Sequence, residues 1–144
     1  VNLINKSCKV LFTVSPVRHI KDGFVENTLS KAHLISAVHQ IVEQNKSCFY
    51  FPSYEIMMDE LRDYRFYKTD MLHPNELAIS HIWESFCNVW MSSQALSTME
   101  KVDQIQKALA HKPFNPNSDS HQAFLAKTQA LIADVQAQFS HIVF

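Results

Sequence analysis

The sequence predicts an α/β fold, in which a partial parallel sheet is followed by a pair of C-terminal helices. Two short apolar runs, residues 9–14 and 47–51, carry the β-branched and aromatic side chains that are typical of buried strands. Between these runs, apolar residues recur at helical spacing. Strand, helix and strand in this order predict a right-handed parallel crossover. Beyond about residue 93 only helical periodicity remains.

Polar residues follow the first strand at its carboxyl end, where open α/β sheets place their sites. Ser15 is followed by proline and lacks the flanking glycines of a nucleophilic serine turn. It is therefore predicted to line the substrate pocket or to be structural. Arg18 and His19 follow at the same edge of the sheet, and they are predicted to lie near an acyl or anionic group. A solvated loop is the alternative for both residues.

The crossover helix is expected to begin near Asn27 or Thr28, which are both good N-cap residues, and to end near residue 45. Lys31 and His33 fall largely off its apolar stripe. The stripe consists of Leu34, Ile35, Val38, Ile41 and Val42.

A further helix, capped by Ser53, is expected after the second strand. A loop that ends at residue 73 then leads to a longer helix. Pro74 suits the first position of that helix, because its missing N–H would be unpaired there anyway. Apolar residues continue at helical spacing from residue 78 to residue 90, and the stripe of Trp83, Phe86 and Trp90 is expected to be core.

The loop before this helix carries the clearest chemistry in the chain. Asp70 and His73 lie three residues apart, so one short turn can hold the carboxylate against the imidazole. Asp70 would fix the tautomer of His73, which would act as a general base. His73 is expected at or next to the N-cap, where the positive end of the helix favours a neutral imidazole. The alternative is an ordinary loop with two solvated polar residues.

The C-terminal part is predicted to be an antiparallel helical pair packed on the α/β part. Residues 97–100 match a capping box, and the stripe of that helix ends before Pro113. Residues 114–120 form a loop, and the last helix carries apolar residues from Phe124 to Phe139. We therefore divide the chain into residues 1–92 and 93–144.

Composition excludes several function classes. The formal net charge is −1, without the basic excess that indicates nucleic-acid binding. No apolar run reaches the roughly 18–20 residues of a membrane span. The eight histidines show no metal-ligand spacing, so no metal site is expected. The three cysteines show no disulfide pattern, which favours a reducing, cytoplasmic location.

Two parallel strands do not make a stable sheet on their own. Their apolar faces imply neighbouring strands that this sequence does not supply. We therefore expect those strands to come from upstream residues or from another chain, and a homo-oligomer would be one such source.

Four segments carry a family resemblance. Residues 12–19 read FTVSPVRH, residues 50–56 read YFPSYEI, residues 59–67 read DELRDYRFY, and Asp70-x-x-His73-Pro74 follows. In this order and spacing they resemble the later part of the GSCFA-domain family, a branch similar to the SGNH (GDSL-like) hydrolases. The resemblance covers about residues 9–90.

The resemblance implies a three-layer α/β/α, flavodoxin-like fold and a serine esterase that acts on a small-molecule, carbohydrate or lipid ester. It implies that Asp70 and His73 are the orienting carboxylate and the general base, and that the reaction requires no cofactor. The nucleophilic serine and the oxyanion-hole groups would lie outside this chain, because the Gly-Ser-Cys-Phe-Ala motif has no match here. The rival interpretation is a non-catalytic α/β binding or assembly module.

Overall fold

The computed structural model describes residues 4–144, which divide into two compact units after Val89. The first unit contains a two-stranded parallel sheet formed by β1 (Val10–Phe12) and β2 (Cys48–Tyr50). In the sheet Val10 lies opposite Cys48, and Phe12 lies opposite Tyr50. Helix α1 (Phe24–Gln44) connects the two strands. The mixed α/β class is therefore confirmed, and so is the parallel pairing of the two strands.

Helix α1 begins earlier than predicted, because Gly23 rather than Asn27 is its N-cap. Gly23 has φ +112°, a conformation that glycine adopts at little cost and other residues avoid. Asn27 lies inside the helix and is buried. Lys31 is buried as well, with 6% of its surface exposed, so the prediction that it falls off the inward face of the helix is wrong.

Three short helical segments follow β2 and supply much of the core of the first unit. Helix α2 (Ser53–Glu55) continues into a π-helical turn (Ile56–Glu60), and a 3₁₀ turn (Tyr64–Phe66) comes after it. Ser53 does not cap α2 through its side chain. Its hydroxyl donates to the Val14 carbonyl at 2.9 Å, which ties α2 to the end of β1. The buried apolar residues of these turns are Ile56, Met57 and Leu61.

Helix α3 (Glu76–Trp90) begins two residues later than predicted. The Asn75 side chain accepts a hydrogen bond from the Ala78 amide at 3.1 Å, so Asn75 is the capping residue and Pro74 precedes it. The aromatic stripe of α3 is also less buried than expected. Trp83 stacks on Phe86 with ring centroids 5.4 Å apart, but 49% of its surface is exposed.

The second unit contains α4 (Ser93–Ala110) and α5 (Asp119–Gln138). Lys101 pairs with Asp134 at 2.6 Å, while the rings of His111 and Phe124 lie 5.5 Å apart, so the two helices run antiparallel. Ile105, Ile132 and Val135 form the buried centre of the pair. Within residues 4–144, none of the helices combines the length and the apolar character needed to cross a bilayer.

Helix α4 begins before the predicted capping box. The Ser92 hydroxyl accepts a hydrogen bond from the Ala95 amide at 3.1 Å, which makes Ser92 the N-cap and places Ser97 inside the helix. We therefore expect Ser92→Ala to lower the free energy of unfolding by about 1 kcal/mol. Ser97→Ala should raise it by a few tenths of a kcal/mol at most, because alanine favours helix interiors. Urea unfolding followed by helical circular dichroism measures both changes. A larger loss of stability in Ser97→Ala than in Ser92→Ala would contradict this helix start.

Candidate functional site

The structure brings Asp70 and His73 together in the turn before α3. The Nδ1 of His73 lies 2.7 Å from the Oδ2 of Asp70. The second carboxylate oxygen accepts hydrogen bonds from the backbone amides of Leu72 at 2.8 Å and His73 at 3.0 Å. Because an ionised carboxylate only accepts, His73 carries its proton on Nδ1 in this arrangement, and its Nε2 is the basic nitrogen.

The same hydrogen bonds lower the pKa of the Asp70 carboxyl group. The backbone amide of His73 contributes most, followed by the amide of Leu72 and the imidazole of His73. Together they lower the pKa of Asp70 from 3.8 to about 2. Asp70 therefore stays ionised well into the acid range, as an orienting carboxylate must.

This shift gives a pH dependence of stability with a definite sign. A carboxyl group whose pKa is depressed by folding stabilises the protein above its unfolded pKa and loses that effect as pH falls towards its folded pKa. Asp70→Asn should therefore be less stable than the wild type at pH 7, and the difference should shrink between pH 3.8 and about 2. Urea unfolding at pH 7, 4, 3 and 2 measures the difference. A difference that does not change with pH would show that the ionised carboxylate contributes nothing.

The turn is the tip of a loop, residues 67–74, that is closed at its base by backbone contacts. Tyr67 and Pro74 form an isolated antiparallel bridge, and the Lys68 amide donates to the His73 carbonyl at 2.8 Å. Asn75 adds two bonds from the helix side, from its amide to the Phe66 carbonyl at 2.8 Å and from Nδ2 to the Arg65 carbonyl at 2.6 Å. This closure fixes where the Asp70–His73 pair sits relative to α3.

The tip of the loop is held by the segment that follows β1. The Arg18 amide donates to the Leu72 carbonyl at 3.2 Å, and its guanidinium donates to the Met71 carbonyl at 3.3 Å. Met71 itself has φ +60°, a left-handed conformation that a residue with a Cβ adopts only at a cost. The contacts from Arg18 lie at this strained position and offset that cost.

Two buried polar residues of α1 hold the same segment from its other side. The Lys31 ammonium donates to the Ser15 carbonyl at 2.6 Å, and the Asn27 side chain accepts from the His19 amide at 3.0 Å. Burial lowers the pKa of Lys31. Neither residue was predicted from the sequence to hold this segment, although their helical spacing indicated an inward position. Lys31 lies four residues before Ile35, and Asn27 lies four residues before Lys31. Both therefore continue the inward face of α1.

A groove runs past the loop between β1, β2 and α3. Its volume is about 670 Å³, and most of its surface is apolar. His73 and Ser15 both line it. The apolar lining comes from Leu11, Pro16, Val17, Phe51, Pro74, Ile79, Ile82, Trp83 and Phe86, and Thr13, Ser53 and Lys68 are its other polar residues. A ligand in this groove would meet the imidazole of His73, a few other polar side chains and a mostly apolar wall.

The three predicted substrate-binding residues lie in three different places in the structure. Ser15 lies in the groove, where its hydroxyl accepts from the Val17 amide at 3.2 Å. Arg18 instead lines a separate cavity next to Tyr64 and Tyr67. His19 is exposed, and its backbone is bound to Asn27. Contact of these residues with a substrate stays a prediction.

Within residues 4–144, no group of three histidine, cysteine, aspartate or glutamate side chains is placed to hold a metal ion. The exposed pair of His81 and Glu60, with Nε2 and Oε2 3.0 Å apart, is a contact between two elements of the first unit and lacks a third ligand in this part of the chain.

Comparison with known families gives two matches. The sequence model of the GSCFA family matches residues 1–86, and that of the GSCFA domain protein C-terminal domain matches residues 102–144. No curated protein and no solved structure was found to match. The first match alone spans more than half of the chain and includes the Asp70–His73 loop, and the second spans most of the helical pair. The chain therefore belongs to the GSCFA family.

Proposed function

We propose that the protein is a serine ester hydrolase of the SGNH type, in which Asp70 and His73 are the orienting carboxylate and the general base. The observation that carries this proposal is the 2.7 Å contact between the Oδ2 of Asp70 and the Nδ1 of His73 beside an apolar groove that His73 lines. The low pKa of Asp70 supports it, because a carboxylate that stays ionised stabilises the imidazolium formed during catalysis.

The proposed chemistry is two-step acyl transfer. A serine hydroxyl from outside this chain attacks the ester carbonyl, and the Nε2 of His73 takes its proton. Asp70 holds the imidazole by its Nδ1–H and stabilises the positive charge. His73 then gives the proton to the leaving alcohol, and a water molecule activated by the same base releases the acid. No cofactor is needed for any of these steps.

The proposal includes the fold that this chemistry requires. Parallel strands outside this chain would extend the sheet of β1 and β2 into a three-layer α/β/α arrangement and bring the serine to the carboxyl edge, next to His73. The substrate would be a small-molecule, carbohydrate or lipid ester, with its acyl part in the groove. Cysteine usage points to a reducing compartment for this activity.

The experiment that tests the proposal is covalent trapping of the serine in the full-length protein. A fluorophosphonate probe should label one serine stoichiometrically, because only a serine with a nearby base reacts readily. Peptide mapping should find the label upstream of the residues described here. Labelling in His73→Ala should be slower by several orders of magnitude.

The same samples, assayed on activated acetyl and longer acyl esters, distinguish the rival binding module. Labelling and hydrolysis together support the hydrolase. No labelling and no turnover on any ester would contradict the proposed roles of Asp70 and His73. The groove would then be interpreted as a binding surface.

A further inference from the structure

A second cavity lies apart from the groove, on the side of the first unit where Arg18 meets the short helical segments after β2. Its volume is about 220 Å³. We call it the Arg18 cavity, and its lining consists of Arg18, Met57, Met58, Leu61, Arg62, Asp63, Tyr64 and Tyr67. None of these residues lines the groove that contains His73. The proposed hydrolysis therefore leaves this cavity unexplained.

Two hydrogen-bond donors line the cavity, the hydroxyl of Tyr67 and the guanidinium of Arg18. Tyr67 is only 9% exposed, and among residues 4–144 no acceptor receives the proton of its buried hydroxyl. The guanidinium of Arg18 lies over the Tyr67 ring, 4.2 Å from its centroid. A guanidinium donates only, so it cannot accept the phenol proton. A buried hydroxyl without an acceptor is costly, which indicates that an acceptor belongs at this place.

The charge around the cavity points to the same kind of ligand. Arg62 is paired with Asp59 at 2.6 Å, and Asp63 is paired with Arg65 at 3.6 Å. Arg18 forms no ion pair with a carboxylate in the part of the chain that the structure describes, and its guanidinium donates to the Met71 carbonyl at 3.3 Å. The uncompensated charge of the cavity is therefore the positive charge of Arg18.

We propose that the Arg18 cavity binds a small carboxylate. One carboxylate oxygen would accept from the Tyr67 hydroxyl and the other from the Arg18 guanidinium, whose planar fork matches a carboxylate. The apolar side chains of Met57, Met58 and Leu61 would take a short hydrocarbon tail, and the small volume excludes long chains. The proposal does not depend on hydrolysis, because it concerns binding at residues outside the groove.

The test is binding of butyrate to the full-length protein, measured by isothermal titration calorimetry and by NMR of ring-labelled tyrosines. Butyrate should bind saturably and should shift a tyrosine signal that is absent in Tyr67→Phe. The affinity should fall about tenfold or more in Arg18→Met, and roughly fivefold in Tyr67→Phe, which removes only the hydroxyl. Butanol, which lacks the charge, should not compete.

The matched controls are Arg62→Met, which removes a cavity cation already paired with Asp59, and His73→Ala, which alters only the groove. Both should leave the butyrate affinity within about twofold, since neither supplies a proposed ligand contact. Equal binding by wild type, Arg18→Met and Tyr67→Phe would mean that butyrate binds elsewhere and would overturn the proposal. So would the absence of saturable binding, or tighter binding of inorganic phosphate than of butyrate. Failure of hydrolysis would not affect any of these outcomes.

Discussion

Replacing His73 with alanine in the full-length protein should lower kcat for an activated ester by about 10⁶-fold, because the serine of the proposed mechanism would then have no base to accept its proton. The loss should be in kcat rather than in KM, since the imidazole acts on the proton in transit and contributes little to ground-state binding. Initial rates over a range of ester concentrations separate the two constants.

The matched control is His81→Ala. His81 lies on α3 in the same unit and also pairs with a carboxylate, Glu60, at 3.0 Å, but it does not line the groove. Its replacement should leave kcat within about twofold, as for a surface residue away from the reacting atoms. Equal losses in the two variants would indicate damage to the fold rather than to a catalytic base.

Asp70→Asn should lower kcat by about 10⁴-fold, because an amide in place of the carboxylate can stabilise the wrong imidazole tautomer and cannot balance the imidazolium charge. The double variant Asp70→Asn, His73→Ala should be little worse than His73→Ala alone, because residues that act as a unit are not additive. This non-additivity is a readout that two independent structural defects would not produce.

Asp59→Asn is the control for this second experiment. Asp59 is an exposed acid that pairs with Arg62 at 2.6 Å, and surface ion pairs of this kind contribute about 1 kcal/mol or less. Its replacement should leave kcat unchanged. If Asp70→Asn retains more than about a tenth of the wild-type kcat, Asp70 is not the orienting carboxylate of a triad.

Local features of the sequence were sufficient to predict the two strands, the main helices without their exact starts, and the contact between Asp70 and His73. The strands are continuous apolar runs, and the turn joins two residues only three apart, so both depend on neighbours along the chain. The family assignment rested on segments of the same kind and is confirmed. The three-layer sheet and the catalytic role of the pair remain predictions.

Features that depend on tertiary contacts between separate segments of the chain were harder to predict. Ser92 and Ser97 are both able to cap a helix, and only the path of the chain before α4 decides for Ser92. Lys31 is buried because the segment after β1 crosses its helix face and offers the Ser15 carbonyl. Arg18 is close in sequence to Ser15 but lines a different cavity. Neither the choice of Ser92 as the cap nor the cavity that Arg18 lines follows from a local pattern, whereas the helical spacing of Lys31 does place it on the inward face of α1.

The backbone closure at the base of the loop has a consequence for how the site can fail. The amides of Lys68 and Asn75 bond to carbonyls across the base, while the tip is held by Arg18. Fluctuations that open the tip need not open the base, so the loop can lose and regain the Asp70–His73 geometry without local unfolding of α3. We therefore expect loss of the Arg18 contacts to loosen the tip and the Asp70–His73 contact while the hydrogen bonds at the base stay formed.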